Sequence, residues 1–313
     1  VIEHTIGESD HDIRLDRWFK RHYPALTHGF IEKALRKNDI RLDAKKTTAA
    51  TRVLTGQTVS IRCKLPEPEP ETIKKPAPFR PTNEDKQMLL DCVLYKDDDI
   101  IIINKPAGLA VQGGSGITKN LDAMLDVLRF DASERPKLVH RLDKDTSGAL
   151  ALARSSKAAT RLVKLFTSKE VEKIYWALAI GVPQIAQGKI DLPLAKQEEE
   201  GDREKVQVDE ENGKKAITLY KVLDRLSNKL CWLELHPITG RTHQLRVHLS
   251  AIGHPILGDG KYGGQLAFIE GMDISRKLHL HAHRIIIPGV LDVTAPLSPH
   301  IKKTMSTLGL YGD

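Results

Sequence analysis

Leu138-Val139-His140-Arg141-Leu142-Asp143-Lys144-Asp145-Thr146-Ser147-Gly148 runs directly into Ala149-Leu150-Ala151-Leu152-Ala153. The second part is short and apolar, as a buried strand is, and Gly148 is the hinge between it and a dense polar cluster. Acids, bases and two hydroxyls set beside a buried strand are costly unless they are paired or functional. Residue types alone also allow a turn whose Asp and Ser side chains cap local backbone groups.

The order of the residues is more specific than a turn. His-Arg-Leu-Asp-x-x-Thr-Ser-Gly resembles the signature of RNA pseudouridine synthases of the RluA superfamily, and the resemblance makes Asp143 the essential aspartate. Two further stretches carry the same resemblance in the same order. Asn104-Lys105-Pro106-Ala107-Gly108, continued by Val111-Gln112-Gly113-Gly114-Ser115-Gly116, is similar to the first motif of that family. Glu172-Lys173-Ile174-Tyr175-Trp176-Ala177-Leu178 reads as a strand and is similar to the second motif, whose tyrosine falls on Tyr175. By residue type alone, an aromatic in a strand is more often core packing. Thr239-Gly240-Arg241-Thr242-His243-Gln244-Leu245-Arg246-Val247-His248 is similar to the third motif. There the resemblance implies that Arg246 pairs with the catalytic aspartate.

The chemistry follows from the family. The N–C glycosidic bond of a uridine breaks, the uracil turns, and the base is rejoined to the ribose through carbon. No redox step or external group enters, so no cofactor is expected. The target must leave its stack at a cost of a few kcal/mol, and the resemblance gives Arg141 the role of filling the gap. Asp143 either attacks the ribose or takes a proton. Both roles need the anion, which a neighbouring cation favours and burial alone opposes. Tyr175 offers a face against the uracil and a hydroxyl for proton movement. His140, Lys105 and Leu245 are further candidates for contact near the site, Lys105 as a phosphate ligand or else a surface lysine.

Outward from the motifs, 313 residues exceed one typical domain. From His11 to Leu65 there are 13 Lys/Arg against 5 Asp/Glu, so the formal charge of +7 is concentrated at one end. Leu15, Trp18, Phe19 and Tyr23 recur at helical spacing there, and a second helix is expected after Thr27, burying Phe30, Ile31, Ala34 and Leu35. Ile40-Arg41-Leu42 and Val59-Ser60-Ile61 read as short strands. This region resembles an S4 RNA-binding domain. The resemblance carries the fold, and RNA contact is expected from the basic residues Arg14, Arg17, Lys33, Arg36, Lys37, Arg41, Lys45 and Lys46. Six prolines between Pro66 and Pro81 mark an extended linker. The expected division is therefore 11–65 as the S4-like domain, 66–81 as linker and 82–313 as the catalytic domain. The fold class is α+β, the larger domain having a mixed, mainly antiparallel sheet with flanking helices.

Elsewhere, helices are expected around Leu121–Leu128, after Ser155 or Ser156, and from a Thr239 or Thr242 cap to Ile252, where Gly253 stops the last of these. Glu198-Glu199-Glu200-Gly201-Asp202 reads as a mobile loop. Cys63, Cys92 and Cys231 lie far apart, which fits a reducing cytosol and no structural zinc. No apolar run reaches the length of a membrane span. His279, His281 and His283 alternate and would share one face of a strand, an arrangement that can hold zinc. No carboxylate pattern accompanies them, and no metal is expected.

Three readings compete: an rRNA uridine isomerase, a non-catalytic RNA-binding or ribosome-assembly protein, and a metal hydrolase built on the histidines. The motifs favour the first. Within the superfamily the RluC branch, acting on 23S rRNA of the large subunit, is most similar, and the RluD branch has the same domain plan. A cytoplasmic monomer with rRNA as its partner and no membrane contact is expected.

Overall fold

The computed structural model describes residues 1–65, 79–114, 117–197, 205–271 and 273–310. Most of the proline-rich stretch (66–78), Ser115 and Gly116 of the glycine run, and the acidic loop at 198–204 lie outside the described residues. The chain divides into two units, Val1–Ala77 and Pro78–Asp313.

In the first unit the expected helices form because one face of each is apolar. Leu15–His22 buries Leu15, Trp18 and Phe19, and His28–Arg36 buries Ile31, Ala34 and Leu35. Thr27 caps the second helix, its Oγ1 accepting the Phe30 N–H at 3.2 Å. Asn38, with φ +65°, takes the left-handed turn that ends it. The helices accompany a four-stranded sheet in the order Ile2–Thr5, Thr58–Ile61, Ile40–Leu42, Lys45–Lys46. The first strand precedes residue 11, where the sequence places the start of the domain. Its alternation is weak because both faces are largely exposed.

The second unit is built on a mixed sheet whose long strands are β1 (Val93–Lys96), β2 (Ile100–Lys105), β3 (Ser147–Ala153), β4 (Glu172–Ile180), β5 (Gln187–Asp191), β6 (Ile217–Leu226), β7 (Leu230–Pro237) and β8 (Leu280–Ile287). Their spatial order is β5-β6-β7-β4-β8-β3-β2-β1. All neighbours on this path are antiparallel except β3 and β8.

The Ala-Leu alternation of β3 has a packing cause. Leu150 and Leu152 meet Ile101, Ile103 and the Leu121–Leu128 helical segment on one face. Ala149, Ala151 and Ala153 make room on the other for Ile100, Ile102 and the helix Ser156–Thr167. That helix starts at Ser155, whose Oγ accepts the Ala158 N–H at 3.1 Å. Gly148 is fixed more tightly still. It has φ +112°, and a Cβ there would lie 2.2 Å from the Ala282 carbonyl oxygen of β8. Only glycine permits this close parallel pairing, and the pairing sets where the polar loop ahead of β3 emerges. Among the described residues no helix is long and apolar enough to cross a membrane.

Candidate active site

The loop ahead of β3, the start of β4 and the segment from Pro237 to Arg246 enclose a cavity of about 320 Å³. Asp143 and Tyr175 both line it. The pairing of β4 with β8 shifts register between Ile174 and Tyr175, an irregularity of the kind that re-aims a side chain. Leu142, Phe166, Leu245 and Leu280 give the cavity an apolar wall. Its other lining includes Arg141, Lys173, Arg241 and Arg246, and Asp143 is the one carboxylate among its lining residues.

The third motif forms the helix Gln244–Ala251, buried through its first two turns. Its polar residues divide into two groups. Gln244 Nε2 donates to Ile217 O at 2.9 Å and to Thr218 Oγ1 at 3.0 Å, while its Oε1 accepts from Thr239 Oγ1 at 2.7 Å and Arg241 N at 3.0 Å. His248 joins Thr218 Oγ1 at 3.0 Å and Leu192 O at 2.9 Å. These residues tie the helix to β6; Gln244 and Thr239 also line the cavity, and His248 does not. Neither Thr239 nor Thr242 caps the helix. His243 stands at the cap with φ +52° and no side-chain cap, because Thr239 is engaged by the Ile217 N–H at 2.8 Å.

His243, left-handed in backbone, points its ring between two groups. Nδ1 meets Tyr262 Oη at 2.6 Å, and Nε2 is 3.9 Å from Asp143 Oδ1. Arg246 does not spend its fork on Asp143, the partner that the family resemblance implies. Nε and one terminal nitrogen donate to Asp259 at 2.8 and 2.6 Å. The Asp259 side chain is wholly buried and needs a fork-shaped partner. Burial alone would depress the Arg246 guanidinium; the Asp259 hydrogen bonds reverse this and hold it above its ordinary value, with Asp143 contributing through space. Burial first, and the charge of Asp143 second, push the Tyr175 phenol upward, so it is a neutral donor at pH 7.

A family model for RNA pseudouridylate synthase matches residues 99–251, which hold the polar loop, Tyr175 and Arg246. The chain is 42% identical over 279 residues to the ribosomal large subunit pseudouridine synthase C of Rickettsia conorii, covering 88% of each chain. The chain belongs to the RNA pseudouridine synthases. It falls in the RluA superfamily, closely related to the RluC-type enzymes. The mitochondrial RNA pseudouridine synthase 4 of Arabidopsis thaliana is 34% identical over 337 residues, covering 88% of this chain and 70% of its own. Among solved structures, human RNA pseudouridylate synthase domain containing 4 superposes with a TM-score of 0.60 at 29% identity, over 72% of this chain and 95% of that one.

The synthase treats the other candidates in different ways. Arg141 is exposed at the cavity and Leu245 is buried in its wall. Lys105 is neither a surface lysine nor placed for phosphate. It is fully buried, and Nζ donates to the carbonyls of Pro106 and Leu109 at 2.9 Å and of Lys144 at 3.0 Å. All three ammonium donors are thereby used, two on the first-motif loop and one on the loop of Asp143. Burial pushes Lys105 down to about 8, against the pull of Asp145 and Asp143. His140 lines the cavity, but its Nε2 accepts the Ala151 N–H at 2.8 Å and its ring stacks on Phe166. Burial, then Lys173, pushes it down to about 3, so it is a neutral wedge between loop and sheet.

The histidine triplet is dispersed in its bonding. His279 meets Leu257 O at 3.2 Å and Thr304 Oγ1 at 2.9 Å; His281 meets Ser147 Oγ at 2.8 Å and Ala295 O at 3.1 Å; His283 stacks on Trp176. Among the described residues no three His, Cys, Asp or Glu gather as metal ligands. In the first unit Arg17, Lys33, Arg36, Lys37, Lys45 and Lys46 are exposed, and Arg14 is half-exposed with its guanidinium on Asp16 at 2.6 Å. Arg41 is partly buried, donating to Asn38 O and Ala44 O. Sequence reasoning missed His243, Asp259 and Tyr262. For His243 the signal is present in the sequence, in the same motif as the candidates Leu245 and Arg246.

Proposed function

We propose that this synthase isomerises uridines of large-subunit (23S) rRNA, with Asp143 as its essential carboxylate and an S4-like first unit that adds grip on the RNA. The observation that carries the reading is one carboxylate in a partly apolar cavity whose other charged lining residues are cations. Likeness to the Rickettsia large-subunit synthase supports the choice of rRNA. The uracil lies against Tyr175, Leu245 and Leu280, and Arg141 at the exposed edge occupies the space that the flipped nucleotide vacates.

Across the reaction the N1–C1′ bond breaks, a C5–C1′ bond forms, and one proton moves from C5 to N1. Nothing is oxidised or reduced. Asp143 acts as an anion whether it attacks the ribose or removes a proton. Arg246, anchored by Asp259, keeps a positive charge beside it without spending its own fork on it. Lys105 and the Gly108 N–H, which donates to Lys144 O at 2.9 Å, hold the Asp143 loop in register. Preset placement of this kind lowers a barrier by avoiding reorganisation.

The test is to incubate the chain with an unmodified large-subunit rRNA transcript and map pseudouridines along it. A small set of discrete uridines converted to completion is expected. No conversion on that transcript, with conversion on transfer RNA instead, overturns the substrate assignment.

A further inference from the structure

A second cavity, of about 480 Å³, also borders Asp143. The two cavities share Asp143, His243 and Arg246. Their other lining differs in kind. The first is walled by leucines, Phe166 and Tyr175. The second is rimmed by Lys144, Lys261, Arg276 and Lys277, all exposed, with Leu278 as its one large aliphatic side chain. The acids that face it do not cancel this charge, because Asp259 is bound to Arg246, which leaves Asp143 and Asp145 against Lys144, Lys261, Arg276 and Lys277.

The cations are placed by packing. Gly258 has φ +81°, and a Cβ there would lie 2.0 Å from the Lys277 carbonyl oxygen, so the segment bearing Asp259 and Lys261 is pressed against the one bearing Arg276 and Lys277. The Arg276 guanidinium lies over the Phe268 ring at 4.2 Å, which limits its freedom. We propose that this basin seats the phosphodiester adjoining the target uridine, with the ribose over Asp143 and the base in the apolar cavity. A nucleotide is apolar and planar at one end, anionic at the other, with its sugar between, and the two cavities present that order around Asp143. The inference rests on the RNA reading above and adds the path of the backbone.

The experiment compares the full chain with the double variant Arg276→Gln/Lys277→Gln, the conservative Arg276→Lys, and Lys229→Gln. Lys229 lies next to the start of β7, at the opposite end of that strand from Pro237 in the cavity. Affinity for the rRNA transcript is measured across salt concentrations, and single-turnover conversion is measured in the same samples. The double variant leaves that one phosphate without its cations, and should weaken binding roughly fivefold at about 0.15 M salt and make the log–log salt slope shallower by about one. Arg276→Lys and Lys229→Gln should keep the slope of the parent. If the double variant melts early because the Phe268 ring is uncovered, Lys277→Gln alone carries the same comparison with half the change. Unchanged affinity and slope in the double variant, or an equal loss in Lys229→Gln, overturns the basin. Failure of the parent chain to convert any uridine is the separate result that overturns the synthase reading on this RNA.

Discussion

Arg36 and Lys37 stand exposed at the end of a helix in the first unit, while in the second unit Arg246 is 7% exposed and Lys105 is fully buried. The same two residue types do different work in the two places. On the surface a cation is hydrated, adaptable and exchangeable with its neighbours, and what counts is how many there are. Inside, each is matched to named acceptors: the fork of Arg246 to one carboxylate, the ammonium of Lys105 to three carbonyls. An interior cation of this kind fixes geometry, and its removal strands the groups it served.

The largest effect that sharpens this contrast belongs to Arg246→Ala. It leaves the wholly buried Asp259 without its partner, a loss of about 3–5 kcal/mol in such cases, and it removes a cation that acts on Asp143 through space. Denaturant unfolding and conversion assays should both fall sharply, and Arg246→Lys should restore little, since an ammonium cannot make the fork. Wild-type stability in Arg246→Ala would break the contrast.

Next in size is a pH effect confined to interior groups. Burial pushes His279, His281 and His283 down to about 4 from an ordinary 6.5. Between those values the unfolded chain binds protons that the folded chain refuses, so stability rises with pH across that window and is lost as pH falls through it. The melting temperature should drop between about pH 6.5 and pH 4, and His279→Gln should flatten the drop. A melting temperature flat over that range would mean these rings are not held neutral.

The smallest effect is on the surface. Arg36→Gln/Lys37→Gln should change stability by no more than about 0.5 kcal/mol, while the salt slope for rRNA binding becomes shallower by about one for each phosphate left without its cation. An unchanged slope would make these residues ordinary hydrated surface.

What the sequence disclosed follows the same division. The apolar spacing of the first two helices, the Ala-Leu alternation of β3 and the glycine at its start are local patterns, and the structure realises each. Asp143 and Tyr175 were legible because their motifs are contiguous, and both line one cavity. The partner of Arg246 was not, because Asp259 lies 13 residues away and is chosen by three-dimensional burial. Lys105 was misread for a related reason. An Asn-Lys-Pro run looks like an exposed turn, and only the return of the Asp143 loop beside it supplies a third carbonyl and removes water. The cap of the motif helix also escaped, since Thr239 is claimed by the Ile217 N–H, from a strand that no local pattern connects to it.

The measurement that bears most directly on the central claim is single-turnover conversion by Asp143→Asn with saturating rRNA transcript. The change keeps size and shape and removes the negative charge. The account predicts no detectable pseudouridine, with melting temperature and RNA affinity close to those of the parent chain. Appreciable conversion by a folded, RNA-bound Asp143→Asn protein would contradict it.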